Sequence, residues 1–516
     1  MKTRYNKIIR DVKTPFSKSL MLVLAIAIGV FGIGVILGSY SVIKREMKDN
    51  YLSTVPASAT IEVDKYLTKE IVDSIKMVEG IEVAERHATL LTRMYVNGKW
   101  YPLLLFVIDD FNKKETNKAF YVSGARKPAS GAMLVERTAY GLMNSKEGDE
   151  LVVKFSNGLP QKIKLAGTVH NPASPPAWQE QTGYGYINLS TLKLINKEKG
   201  FDQLRILVSE GQHSLDHIKK ISQSVAQQLK MAGYKVHGIQ IPPPNRHPHQ
   251  SQMDTVMTIF VIFSFLVLIL GSILVATTVA TLMVKQIRQI GIMKTIGATS
   301  TQVSTMFLVM IFLLCLLALI IGIPTSQIAA AGLYNQLAEL LNLEIRNSSI
   351  PFWVILLQIA SGVLIPIIAV SFPIIRGSAI TVKAALNNYG TNIQKFKSNA
   401  LLSKLSRLNC VSETIGLSIR NMFRLQSRLL MTLGLLAAGG AMFMSALNVS
   451  KAWEVNLEKL YQQRLYDLEI RLNENIIADS IICKIKSIEG IKGVEGWNFT
   501  SISKNKNNSF EISQTY

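Results

Sequence analysis

Five stretches without a charged side chain, each long enough to cross a bilayer, constrain this chain more than any other feature. They are Ser19–Ile43, Thr255–Val284, Thr295–Ala338, Asn347–Ile375 and Leu429–Ser450. A helix crosses the hydrocarbon core in roughly 20 residues. Lipid offers no partner to an open backbone group, so each run is expected to be a helix. The third run far exceeds one span; its helix is placed at 304–323, with Pro324 as the stop signal. The fourth helix is placed at 350–375. With 48 % hydrophobic and 18 % charged residues, the 516-residue chain reads as a membrane protein carrying a substantial water-exposed part.

Charge sets the expected orientation. Residues 1–18, 285–303 and 376–428 hold eighteen Lys or Arg against Asp11 and Glu413, which is +16 of the net +21. If all five runs span, these segments share one side. The positive-inside pattern makes that side the cytoplasm, with 44–254, 324–349 and 451–516 outside. Such basic flanks suit anionic lipid headgroups, and nucleic acid is not an expected partner. Residues 19–43 are about twice as long as a secretory apolar region and no A-x-A-like site follows, so the segment reads as a retained anchor. None of the three cysteines (Cys315, Cys410, Cys483) lies in 44–254, so packing must hold that domain together.

The chain also begins again. Ile9-Arg10 returns as Ile419-Arg420, Leu20-Met21 as Leu430-Met431, Gly29 as Gly439, Tyr51 as Tyr461, and Glu79-Gly80-Ile81 as Glu489-Gly490-Ile491. One spacing of 410 residues relates every pair, so the repeating unit is a whole domain. The fifth run is then the first span of a second copy, and 451–516 the opening of a second outer domain. The expectation is a fragment of a longer chain, or half of an assembly.

Residues 44–254 read as an α+β domain. Ala59–Asp64 alternates as a half-buried strand does, and Leu67, Ile71, Ile75 and Val78 mark a helix face before Gly80. Strands are expected at 81–97 and 99–109. The same grammar returns as strand Leu204–Val208, a helix with Leu215, Ile218, Ile221, Val225 and Leu229 inward, and strand Lys235–Ile241. Two βαβ-like halves around an insertion at 111–200 suggest a ferredoxin-like core. The insertion should be mostly strand, at 132–135, 150–155 and 162–169, around a short helix at 136–145. Ile241–Gln250 (IPPPNRHPHQ) is expected to be a stiff extended connector. Two histidine pairs, His213/His217 and His247/His249, have spacings a metal could use, but no cysteine or dense carboxylate cluster accompanies them. Solvated surface histidines are the expectation, with no metal and no cofactor. Asn171–Trp178 (NPASPPAW) reads as a loop, either offering Trp178 for contact or folded on its own lobe.

The segment Lys285–Thr305 (KQIRQIGIMKTIGATSTQVST) is too patterned for a plain turn between spans. Ile287, Ile290, Ile292, Met293 and Ile296 interleave with Arg288 and Lys294, while Gly291 and Gly297 allow close contact and a helix stop. This pattern suits a short amphipathic helix lying against lipid or neighbouring spans, or one that docks a partner. The stretch resembles the R-x-E-I-G-I-x-K-x-I-G-A signature of FtsX-like/MacB-type permeases. Ala132–Val153 with Lys162–Val169, and Val382–Leu386 (VKAAL), are similar to further stretches of that family. The order of one span, outer domain and three spans agrees over residues 1–390, and the tandem resembles permeases with two fused units. Gln289 and Met310 stand where relatives carry Glu. The resemblance implies an ABC transporter permease whose Arg288, Gly291, Lys294 and Gly297 couple to an ATPase subunit.

No G-x-x-x-x-G-K-[ST] phosphate loop occurs, nor G-x-S-x-G or H-E-x-x-H. The five runs hold no Asp, Glu, His, Lys or Arg, which argues against an ion-coupled carrier. Energy is therefore expected from an ATPase partner. By resemblance the machine sits in the bacterial plasma (inner) membrane and exports or extracts a lipoprotein, peptide or lipophilic compound. The alternative is force transmission to an extracytoplasmic enzyme such as a cell-wall hydrolase. A second permease half or another extracytoplasmic partner is compatible with either.

Overall fold

The computed structural model describes residues 16–154, 159–195, 199–386, 426–463, 465–468, 470, 478–497, 502–506 and 509–513. The chain divides into two units, Met1–Gly440 and Ala441–Tyr516. In the first unit, helix α1 (Phe16–Ser53) leads into strand β1 (Ala59–Val63), helix α2 (Lys69–Lys76) and strands β2 (Ile81–Val96) and β3 (Lys99–Ile108). The inserted lobe follows as β4 (Phe120–Gly124), β5 (Ala132–Glu136), α3 (Ala139–Met143), β6 (Glu150–Lys154), β7 (Gln161–His170), α4 (Ala177–Glu180), β8 (Gly183–Asn188) and α5 (Leu189–Ile195). Strand β9 (Gln203–Val208), helix α6 (Leu215–Met231) and strand β10 (Val236–Gln240) close the domain.

One sheet runs through both lobes in the order β10-β1-β9-β2-β3-β8-β5-β7-β4, with β6 bridging β2 and β7. Its first four strands are antiparallel and have the ferredoxin-like order, because each βαβ half leaves a gap that the other half fills. Under them Val72 and Ile75 of α2 meet Ile218, Val225 and Leu229 of α6 over Ile61 and Ile206. Thr68 caps α2 and Ser214 caps α6 through their side-chain oxygens. The sixteen-residue β2 pairs with β9 near its start and with β3 and β6 further along, so one strand carries the sheet into the insertion.

Strand β8 (GYGYIN) is absent from the sequence reading because glycine is depleted in strands. Here a Cβ at Gly183 would meet Met143, Leu103 and Met94 at 2.9–3.0 Å, and one at Gly185 would meet Leu105 and Met133 at 2.9 Å. Both glycines are therefore packing residues. The connector at 241–250 is not a straight rod: Asn245 takes a left-handed turn, and His247 is buried edge-on against Tyr51 with ring centroids 5.3 Å apart. Burying one ring outweighs the extended preference of the neighbouring prolines.

Four described helices are long and apolar enough to cross a membrane: α1, α7 (Gln250–Lys285), α9 (Ser300–Leu340) and α10 (Phe352–Ser378). Between them lie the short α8 (Ile287–Thr295) and, after α10, α11 (Val382–Leu386). Pro324 does not end the third span, contrary to the sequence reading. Helix α9 continues through it to Leu340, so the expected outer loop shrinks to 341–351. The hydroxyl of Thr325 donates to the Ile321 carbonyl (2.7 Å) and that of Ser326 to the Ile323 carbonyl (2.7 Å), which supports the turn around the proline. The amide of Gln358 on α10 donates to Ser326 Oγ (3.0 Å) and to the Val30 carbonyl on α1 (3.2 Å), locking three helices there. Gly34 makes this approach possible, since a Cβ would collide with Gln358 and Ser326.

From Gln426 on, the described elements repeat earlier ones at the 410-residue spacing. Helix α12 (Gln426–Gln463), which contains the expected fifth span, has the bounds of α1 shifted by 410. Helix α13 (Ala478–Lys486) corresponds to α2, and Gly490 shares the positive φ of Gly80 (+94° against +90°). Hairpin strands β11 (Ile502–Lys506) and β12 (Ser509–Ser513) pair at Lys506↔Ser509 as β2 and β3 pair at Val96↔Lys99. The strand expected near 468–472 lies mostly outside the described residues, as does Cys410.

Candidate functional site

The patterned segment forms helix α8, and its apolar side is inserted into the end of the four-helix bundle. Ile290 is fully buried in a cluster with Leu22 of α1, Met283 of α7, Val303 and Phe307 of α9 and Ile374 of α10, with Met293 packed alongside. The seat is built of spans, not lipid. Gly291 is buried on this inner side, which differs from the docking contact the sequence suggested. Lys294 is half-buried, and its ammonium donates to Ser300 Oγ (2.8 Å) and to the Ile380 carbonyl beyond α10 (2.7 Å). It works as a tie between segments rather than as a free surface charge. Gly297 has φ +99°, so it supplies the left-handed turn that lets Thr299 start α9 with a reciprocal capping box to Gln302.

Of the four predicted residues, Arg288 is the one whose charge is fully presented. Gln289, Ile292 (45 % exposed) and Ile296 (82 % exposed) stand out with it. Helix α11 packs against α8, and Ala385 is buried. Gln289 is exposed and Met310 is buried in the bundle core, so the uncharged residue at Met310 suits its apolar surroundings.

At its other end, some 60 Å away at 1.5 Å per residue, α9 reaches the α+β domain. Asn342 follows it, 2 % exposed and left-handed at φ +53°. Its amide donates to Glu136 Oε1 on β5 (2.9 Å) and its oxygen accepts from Arg137 Nε (3.2 Å). Glu136 is fully buried, and its Oε2 accepts the Thr138 N–H (2.8 Å) and the Thr138 hydroxyl. His170 Nδ1 on β7 lies 3.5 Å from Oε1. Burial alone would push the Glu136 carboxyl up, but His170, Thr138 and Asn342 outweigh it and hold it below the usual range. On the opposite side, Glu46 of α1 accepts the backbone N–H groups of Arg346 (3.1 Å) and Asn347 (3.0 Å), and the Asn50 amide donates to the Glu344 carbonyl (2.9 Å). Loop 341–351 is thereby clasped between α1 and the sheet. Sequence periodicity gave no sign of this joint; an isolated carboxylate at the end of the all-buried β5 was the available clue.

His247 is buried, and its Nδ1 accepts the His249 N–H (3.1 Å). Burial, with His249 beside it, pushes its pKa down to about 4. Among the described residues no group of three or more His, Cys, Asp or Glu is placed to hold a metal. Trp178 is 46 % exposed, while Ala177 before it is buried and Ser174 turns inward, so the loop folds on its lobe and still presents the indole.

These features define a class: a polytopic membrane protein with an α+β domain inserted between its first and second spans. Within it, residues 261–382 match the FtsX-like permease C-terminal family, a stretch that contains α8 and the ends of the three later spans packed around it. Among solved structures, the extracellular domain of the noncanonic ABC-type transporter YknZ from Gram-positive bacteria is similar at 14 % identity, covering 35 % of this chain and 100 % of that one, with a TM-score of 0.25. The periplasmic region of MacB from Actinobacillus actinomycetemcomitans is similar at 10 % identity, over 40 % of this chain and 95 % of that one (TM-score 0.26). A domain of a permease protein from Porphyromonas gingivalis shares 14 % identity over 37 % and 89 % (TM-score 0.24). No curated protein sequence matches the chain.

Proposed function

We propose that this chain is the membrane subunit of an ATP-driven complex and that a separate nucleotide-binding subunit docks on the exposed face of α8. The observation that carries the reading is the division of that helix. Ile290 and Gly291 are sunk in the bundle, Lys294 ties it to the start of α9 and to the Ile380 carbonyl beyond α10, and Arg288, Ile292 and Ile296 are left facing out. A rigid mount with a mixed apolar and basic outer face is what a partner needs in order to push on the bundle. Movement at α8 passes into α9, and the Asn342 joint hands it to the sheet. The α+β domain lies outside the cell in this reading, the basic flanks lie in the cytoplasm, and the host is the bacterial plasma membrane. The work moves a hydrophobic or amphipathic molecule such as a lipoprotein, peptide or lipophilic compound.

The test is co-expression with a P-loop ATPase encoded alongside the chain, followed by purification and ATP hydrolysis. Arg288→Glu/Ile292→Asp should abolish co-purification while the permease remains folded. Lys294→Met should retain the partner but weaken stimulated hydrolysis, because the mount is loosened and the face is intact. Normal assembly and hydrolysis in both variants would remove α8 from the mechanism. Co-purification of a soluble cell-wall hydrolase in place of cargo would favour force transmission to an enzyme.

A further inference from the structure

A cleft of about 690 Å³ opens where three spans emerge on the side of the α+β domain. Its walls are the end of α1 (Tyr40, Lys44, Arg45, Lys48), the turned connector (Arg246, Gln250) and the start of α10 (Trp353). Lys44, Arg45, Lys48 and Arg246 line it, and no carboxylate does.

Two of these cations are already committed. Lys44 lies 2.9 Å from the Tyr40 hydroxyl and 3.5 Å from Asp254, and Arg45 donates to the backbone carbonyls of Ser349 (3.1 Å) and Asn347. Lys48 and Arg246 have no acidic partner within ion-pair distance among the described residues. The Gln250 amide, 9 % exposed, contributes a polar group whose oxygen is unpartnered. Turned over, the same amide presents an N–H donor.

The position narrows the ligand. Residues Ser19–Ile43 are the apolar part of α1, so Lys44 to Lys48 sit at the level where hydrocarbon gives way to headgroups. Trp353 (49 % exposed) and Phe352 (74 % exposed) mark the same level on α10, as interfacial aromatics do. Cationic walls above an aromatic sill suit an anion that carries its own apolar chain. We infer that this cleft is a headgroup site for a phospholipid of net negative charge in the leaflet nearest the α+β domain. Lys48 and Arg246 take the phosphate oxygens, and the acyl chains run down past Trp353. The inference needs only that the helices span a bilayer. It does not depend on ATPase docking, so either idea can fail without the other.

The full chain, purified without a partner and reconstituted in nanodiscs, provides the test. Native mass spectrometry would count retained phosphatidylglycerol against phosphatidylcholine. The expected result is preferential retention of phosphatidylglycerol. Each interfacial charge is worth about fivefold in affinity, so Lys48→Gln/Arg246→Gln should cut the preference roughly 25-fold. Lys69→Gln/Lys76→Gln, a removal of equal charge from exposed positions on α2, should leave it in place, and melting curves would show whether each variant is folded. A folded double variant with unchanged preference, or no preference in the parent chain, would overturn the assignment. So would displacement of the lipid by soluble glycerol phosphate, which would make the cleft a site for free phosphate.

Discussion

Replacing Asn342 by alanine should loosen the α+β domain from the membrane helices. Its amide is the hydrogen-bond donor to Glu136 Oε1, whereas Oε2 is served by Thr138. A hydrogen bond to a charged group contributes about 1.5–3 kcal/mol. A left-handed backbone disfavours alanine over asparagine by about 1 kcal/mol more. The expected loss is therefore about 3 kcal/mol in the local opening of the joint. Hydrogen exchange of peptides covering β5 and residues 341–351 should then quicken about a hundredfold, while peptides within α2 stay protected. Asn342→Gly removes the same hydrogen bonds but relieves the backbone, so its effect should be about fivefold smaller than that of alanine. If the alanine variant exchanged within threefold of the parent, the joint would not be held by this side chain. If glycine fully restored protection, backbone strain alone would explain the effect and the Glu136 contact would carry nothing.

Acid should weaken the connector. His247 titrates near 4 in the folded chain against about 6.5 unfolded, so the native state binds fewer protons between those values. Its contribution is fully present above pH 6.5 and falls by roughly 3 kcal/mol on going down to pH 4; His87, also buried and pushed well below 6.5, acts in the same direction. Melting curves across that window should show a shallower pH slope in His247→Gln, and an unchanged slope would reject the assignment. Gly34→Val should destabilise the bundle by about 1–3 kcal/mol or more through overpacking, while Gly32→Val, with nothing within 4 Å of its Cβ position, should melt like the parent. A membrane-impermeant thiol reagent applied to whole cells should label Lys193→Cys and not Arg288→Cys in a background stripped of native cysteines. The reverse pattern would invert the topology.

The spans were legible because apolar length alone marks them, and the ferredoxin-like lobe because Ile218, Ile221, Val225 and Leu229 repeat at helical spacing while its strands alternate; Leu215, expected inward with them, is 41 % exposed at the first turn of α6. Pro324 misled because the rule that proline stops a helix assumes water around the chain. Within the span, the Thr325 and Ser326 hydroxyls support the turn instead, and Gln358 holds Ser326 from the neighbouring helix. Strand β8 was hidden by glycines that Met94, Leu103 and Met133 require. In the candidate site, Arg288, Gly291, Lys294 and Gly297 stood out as a group, but their separate uses depend on which side of α8 faces Ile374 and Ile380. The Glu136–Asn342 joint unites residues 206 positions apart and has no local pattern from which it could be read.

The central claim is that a nucleotide-binding subunit sits on the outer face of α8, and photo-crosslinking in intact membranes tests it most directly. Benzoylphenylalanine would replace Ile296, which is 82 % exposed, and in a parallel strain Ile290, which is fully buried. The account predicts a covalent adduct from position 296 whose peptides include a G-x-x-x-x-G-K-[ST] ATPase, and none from position 290. Adducts from position 296 that contain only lipid, in cells expressing the ATPase, would contradict it.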